Sequence, residues 1–242
     1  MQVITKTDTG LVRIENQDRV LTKVMPDGSA IVVVCDGMGG ENAGSEASEI
    51  AVNAVFDRIV QNYRQDADFN SIRNLILSSL NAANSIVYKK SLTDESKIGM
   101  GTTCVCGIIK NNIAFIGNVG DSRAYIIEKE NVQQISIDHT YVQMLYEQGE
   151  IKVEELKTHH QRNIITRAVG IDDKIEPDYY EIDIPDNSVI LMCTDGLSGY
   201  CSDEILAEII NSNNLEKASE KLLKYALDEG GKDNITLALI AN

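Results

Sequence analysis

Along the chain, runs of period-two or unbroken apolar character give way to runs of helical period and then return. Short β-type runs at 2–6, 19–24 and 30–35 come first, and Pro26-Asp27-Gly28-Ser29 between the last two makes a good hairpin turn. A helix is predicted at 43–63, where Ala47, Ile50, Ala51, Ala54, Val55, Arg58 and Ile59 keep the i, i+3, i+4, i+7 spacing. Ile72, Leu75, Ile76, Leu80, Ala83, Ile86 and Val87 repeat it in a second helix at 69–90. Each helix has one apolar face, so each is expected to cover a sheet.

Strands resume at 101–109, 113–119, 123–128 and 132–136, with Asn111-Asn112 marking one turn. From 140 to 175 the chain is polar and mixed; it holds His159-His160 and one clear apolar run, Ile164-Ile165, and reads as an irregular insertion with the character of a mobile loop. Strands at 178–183 and 188–194, helices at 203–212 and 215–229, and a strand at 235–241 complete the pattern. Grouped strands and helix pairs, without strict βαβ alternation, predict an α+β layered fold with antiparallel sheets. There are no repeats and no Pro/Ser-rich linker, so one domain over 1–242 is expected.

Composition narrows the chemistry. The 242 residues are 43% hydrophobic, enough for a full core, yet no apolar run nears the roughly 18 residues of a membrane span. The first residues are polar, so the expectation is a soluble, cytoplasmic protein without an export signal. Of five cysteines, Cys35, Cys104, Cys106 and Cys193 lie in apolar strand-like runs, which suits buried thiols better than a disulfide framework. A zinc site lacks support, since neither CxxC nor paired-His spacing accompanies them. A net charge of −15 argues against nucleic-acid or anionic-membrane partners. The acidity serves solubility, or it belongs to carboxylates held together by cations.

Three Asp-Gly pairs separate these readings. The pair at 27–28 lies between two strands and is explained as a turn. Those at 36–37 and 195–196 follow an apolar strand but lead into helical sequence, which a hairpin turn does not explain. If 19–24 and 30–35 pair antiparallel, Asp18 and Asp36 come to the same sheet end. The same argument joins Asp195, after strand 188–194, to Asp233, before strand 235–241. Asp121 sits in the tip Gly120-Asp121-Ser122, which would also make a good hairpin turn by itself. Five carboxylates thus gather at one edge.

Such a cluster repels itself without cations, and hard Mg²⁺ or Mn²⁺ prefers oxygen ligands. The expected site is a carboxylate cage for two or more metals. Two such ions about 3.5–4 Å apart generate a hydroxide and clamp a phosphoryl oxygen, the chemistry of phosphoester hydrolysis. Arg13, five residues before Asp18, is placed to bind the non-reacting phosphate oxygens, unless it is only a surface ion-pair residue. Gly37, Gly39 and Gly40 allow close backbone approach, and Gly37 has a carbonyl to offer.

The motifs TGLVRIENQD at 9–18, DGMGG at 36–40, GTT at 101–103, GDSR at 120–123, TDGL at 194–197 and KDNIT at 232–236 carry a family resemblance. In order and spacing the chain resembles the metal-dependent serine/threonine protein phosphatases, type 2C (PPM), of bacterial type. That resemblance implies a four-layer αββα sandwich of two antiparallel β-sheets flanked by helix pairs. It implies Asp36 as bridging metal ligand, the Gly37 carbonyl on the second metal, and Asp195 and Asp233 on the first. Asp18, with Gln17 beside it, corresponds to an outer carboxylate that orients metal-bound water, and Asp121 with Asp195 to the holders of a third, weaker metal. Residues 140–175 correspond to the flap beside the site.

Two departures stand out. Met38 occupies the position of a histidine assigned as general acid in animal members, and cannot donate a proton. Gln17 replaces the Glu of many relatives, lowering the site's charge by one. His139 is expected to be structural, and His159-His160 solvated. The reading is a monomeric phosphoprotein phosphatase using Mn²⁺ or Mg²⁺, acting on the products of a serine/threonine kinase in bacterial signalling. The alternatives are a small-molecule phosphoester hydrolase and a non-catalytic phosphoprotein-binding pseudophosphatase.

Overall fold

The computed structural model describes residues 1–39, 43–129 and 131–241. One sheet has the order β1 (Gln2–Asp8), β11 (Ile235–Ala241), β10 (Val189–Cys193), β7 (Arg123–Glu128), β8 (Asn131–Gln134). The other runs β2 (Asp18–Val24), β3 (Ala30–Met38), β5 (Cys104–Lys110), β6 (Ile113–Val119), β9 (Asp178–Asp183), with β4 (Gly101–Thr102) added beside the end of β3. All pairings are antiparallel.

The unbroken apolar run of β3 has a simple cause: both of its faces are buried. Ala30, Val32 and Val34 point into the space between the sheets, where they meet Ile116, Ile126, Met192 and Ile240. Ile31, Val33 and Cys35 point the other way, onto α1 (Ala43–Asn62) and α2 (Phe69–Ser91). The far sheet likewise turns Leu191, Leu237 and Leu239 toward α5 (Asp203–Asn211) and α6 (Leu215–Asp228). The layers are therefore helix, sheet, sheet, helix. Asp68 and Asn214 cap α2 and α6 by accepting from Ser71 and Lys217 N–H at 2.7 and 2.9 Å. In the β5–β6 turn, Asn111 and Asn112 adopt φ of 50° and 58°, as a two-residue hairpin requires.

The expected elements stand, with corrections. Arg58 is exposed and Ile86 is 48% exposed, so the helical faces are narrower than the spacing suggested. The strand expected at 101–109 is broken at Thr103. The 140–175 segment is not wholly irregular: it contains α3 (Tyr141–Glu147) and pairs back on the body through Thr102–Val169 and Thr140–Ile165 bridges. Gly120-Asp121-Ser122 is no hairpin tip, because β6 and β7 belong to different sheets. Asp195 opens a one-turn helix, α4 (Asp195–Ser198), and Asp36 lies inside β3 rather than after it. Gly40 falls outside the described residues. All five cysteines are buried and free.

Candidate metal centre and active site

Strand register assembles the site. Asp18 lies directly opposite Asp36 in the β2–β3 pair. In the other sheet Cys193 faces Leu237, so Asp195 and Asp233 leave β10 and enter β11 at one edge. Two side chains join these edges. Thr194 Oγ1 donates to Asp18 Oδ2 at 2.8 Å and accepts from Thr236 N–H at 3.0 Å. Buried Asn234 donates to the carbonyls of Thr9 and Glu15 and accepts from Gln17 N–H, at 2.8, 2.9 and 2.8 Å, so one amide shapes the loop that presents Arg13.

The break at Thr103 serves Asp36. Asp36 N–H donates to Thr103 Oγ1 at 2.9 Å, and Asp36 O accepts from Thr103 N–H at 2.9 Å and Thr102 Oγ1 at 2.8 Å. Thr103 Oγ1 also bonds Ser122 Oγ at 2.7 Å, fastening the turn that carries Asp121. Gly37 is required by packing: a Cβ there would come within 2.1 Å of Gly44 O in the first turn of α1. Its smallness therefore admits the helix, where the sequence suggested close approach to a metal.

The electrostatics record how closely the carboxylates converge. Burial pushes the Asp36 carboxyl well up, and Asp18, Asp195, Asp121 and Asp233 all raise it further. Burial likewise brings Asp18 to about 7, against hydrogen bonds from Thr236 and Thr194 that favour its charged form. Asp121 rises to about 8 through burial and the nearby Asp195 charge. Asp195 is raised by burial and by Asp233, with Asp36, Arg123 and Arg13 opposing. Uncompensated negative charge in a poorly solvated edge accounts for every one of these shifts.

This donor set suits hard cations. It consists of carboxylate and backbone oxygens, and among the described residues Asp18 Oδ1 and Asp195 Oδ1 are buried without a hydrogen-bond partner. Among the described residues no three His, Cys, Asp or Glu side chains stand in a ready-made ligand arrangement. Both oxygens of Asp233 are engaged: Oδ2 accepts from Arg13 Nη2 at 2.7 Å and Oδ1 accepts from Asn234 N–H at 2.9 Å. Arg13 thus stands beside the carboxylates in a partly exposed ion pair with Asp233.

A family model described as Protein phosphatase 2C matches residues 12–239. The chain belongs to the protein phosphatase 2C family. Protein phosphatase PhpP of Streptococcus pneumoniae is 34% identical over 242 residues, covering 100% of this chain and 97% of that protein. The solved structure of Serine/threonine phosphatase Stp1 from Staphylococcus aureus superposes with a TM-score of 0.92 at 33% identity, over 100% of this chain and 94% of that one. The catalytic domain of serine threonine protein phosphatase PstP, solved in complex with 2 manganese ions, gives 0.83 at 28% identity, over 98% and 96%.

Within this phosphatase fold several side chains take positions that the sequence did not assign. Thr102, Thr103, Ser122, Thr194 and Asn234 hold the site's backbone; GTT, GDSR, TDGL and KDNIT had marked them only as parts of motifs. His139 is structural, as expected: Nδ1 accepts from Gly120 N–H at 3.1 Å, and burial lowers its affinity for a second proton. His159 and His160 stack on each other with ring centroids 4.5 Å apart. Cavities of about 240 Å³ beside Val189 and Ile240 and about 600 Å³ beside Lys110 and Asn111 lie at the opposite ends of these strands, remote from the carboxylates.

Proposed function

We infer that this phosphatase hydrolyses phosphoserine and phosphothreonine esters of proteins by direct attack of water, using two Mn²⁺ or Mg²⁺ ions and a third, weaker one. The observation that carries this reading is the pair of oxygens Asp18 Oδ1 and Asp195 Oδ1, buried with no hydrogen-bond partner among the described residues, inside a cluster that drives the Asp36 carboxyl well up. Asp36, the Gly37 carbonyl, Asp195 and Asp233 would hold the two ions, and Asp121 with Asp195 the third. Bound there, the ions would supply an activated water and neutralise charge on the phosphoryl oxygens.

The chain's own groups do the rest. Asp18, fixed by Thr194, orients the attacking water through its remaining oxygen, with Gln17 beside it. Arg13 offers its planar fork to the non-reacting phosphate oxygens, and the partly exposed pair with Asp233 keeps it aimed at the edge. Met38 supplies no proton to the leaving serine or threonine oxygen. No C-x5-R loop is present, in keeping with a mechanism that has no cysteinyl intermediate.

We further propose a single catalytic domain over 1–242 with a flap at 140–175 that contacts the substrate protein. The free buried thiols fit a cytoplasmic site of action, and no helix among the described residues is long and apolar enough to cross a membrane. Products of a serine/threonine kinase are its proposed substrates, and a monomer its proposed state. The test is phosphate release from a phosphothreonine peptide with Mn²⁺, with Mg²⁺ and with EDTA. Metal-dependent release that disappears in Asp195→Ala is expected; metal-independent release, or full activity in the variant, overturns the assignment.

A further inference from the structure

Asp121 has no strand of its own. It stands in a three-residue crossover between the two sheets, so its direction depends on what grips the residues either side. Ser122 is gripped by Thr103 Oγ1 at 2.7 Å. Gly120 is gripped on both of its polar atoms: its N–H donates to His139 Nδ1 at 3.1 Å, and its carbonyl accepts from His139 N–H at 3.0 Å and from Asn118 Nδ2 at 3.2 Å. Gly120 also has a φ of 104°, and a Cβ there would strike Thr103 Cγ2 at 2.6 Å, so only glycine fits this turn.

The outer side of the His139 ring is fixed as well. Because Nδ1 accepts, the ring proton sits on Nε2 and is donated to Asp178 Oδ2 at 3.1 Å. Arg167 Nη1, 3.2 Å from Nε2, pairs with Asp178 Oδ1 at 3.1 Å, and Tyr180 Oη donates to Asp178 Oδ2 at 3.1 Å. His139 O accepts from Thr166 N–H at 2.8 Å. One buried residue therefore joins three parts of the molecule, the Asp121 turn and the β9 strand through its ring and the segment proposed as the flap through its carbonyl.

We propose that His139 is a positioning residue that sets the Gly120-Asp121-Ser122 turn through its Nδ1 acceptor, and that the grip with which Asp121 holds a weak cation depends on it. This rests on the reading of Asp121 as a ligand. A group that orients a ligand from outside the coordination sphere commonly changes affinity by about 10- to 100-fold when removed.

Three substitutions separate positioning from general support. His139→Asn keeps an acceptor near the Nδ1 position and loses Asp178; His139→Gln reaches toward Asp178 and loses the acceptor; His139→Ala loses both. Mn²⁺ titration by calorimetry is the readout, with Asp121→Ala as reference and amide exchange at Gly120 as a second measurement that needs no metal. Expected are a weak Mn²⁺ step absent in Asp121→Ala, weakened about 10-fold or more in His139→Ala and His139→Gln, and near the wild-type value in His139→Asn. Gly120 exchange should quicken in the Gln variant and stay slow in the Asn variant, which keeps the test decisive if the Ala variant fails to fold. A weak step present in wild type, lost in Asp121→Ala and untouched in His139→Gln overturns the inference alone. Equal weakening in the Asn and Gln variants also overturns it. A wild type without any weak step overturns the Asp121 reading and this inference with it.

Discussion

Asp18 and Asp36 are direct cross-strand partners, two carboxylates facing each other at the end of the β2–β3 pair. Like charges in that relation destabilise a sheet, and burial magnifies the effect here. Asp36→Asn should therefore raise the melting temperature of EDTA-treated protein while abolishing phosphate release. Thermal melts and a phosphopeptide assay on the same preparations check it; a variant that is both active and less stable contradicts the site.

The same strain has a pH signature. Asp18 and Asp121 bind protons in the folded state up to about 7 and about 8, against an unfolded value near 3.8. Between those values the folded chain holds more protons than the unfolded one, so stability falls as pH rises. Melts of EDTA-treated protein should decline from pH 5 to pH 8. Excess Mn²⁺ should offset or reverse that decline, because it binds the deprotonated carboxylates; at 100 times its Kd a single site adds about 2.7 kcal/mol.

Arg13 reaches Asp233 at 2.7 Å across the rim of the site. If its fork binds phosphate equally in ground and transition states, Arg13→Ala raises KM with a smaller effect on kcat. Arg13→Lys should recover little, since a point charge does not reproduce the two-pronged contact. Steady-state kinetics on p-nitrophenyl phosphate and on a phosphopeptide decide this, and an unchanged KM removes Arg13 from the phosphate site.

Thr103→Val keeps shape but deletes the hydroxyl that receives Asp36 N–H and bonds Ser122. Leaving buried partners unsatisfied costs about 1–3 kcal/mol. Urea denaturation should show a loss of that size, with a fall in kcat because Asp36 and Asp121 both lose a fixed neighbour. Thr103→Ser should restore both.

The layered α+β architecture and the convergence of Asp18 with Asp36 and of Asp195 with Asp233 were legible in the amino-acid sequence. Both follow from local rules: apolar period fixes helix or strand, and antiparallel pairing sends the start of one strand to the end of the next. Tertiary structure alone decided how the two edges join. Thr194 meets Asp18 across 176 residues and Asn234 meets Gln17 across 217, and no periodicity connects such positions. It also decided that Thr103 leaves the strand to serve Asp36, that Asp121 rides a crossover between sheets, and that Asp233 is held by Arg13. Each of these outcomes is a polar group finding a partner, and the available partner depends on which distant segments the folded core brings to the same edge.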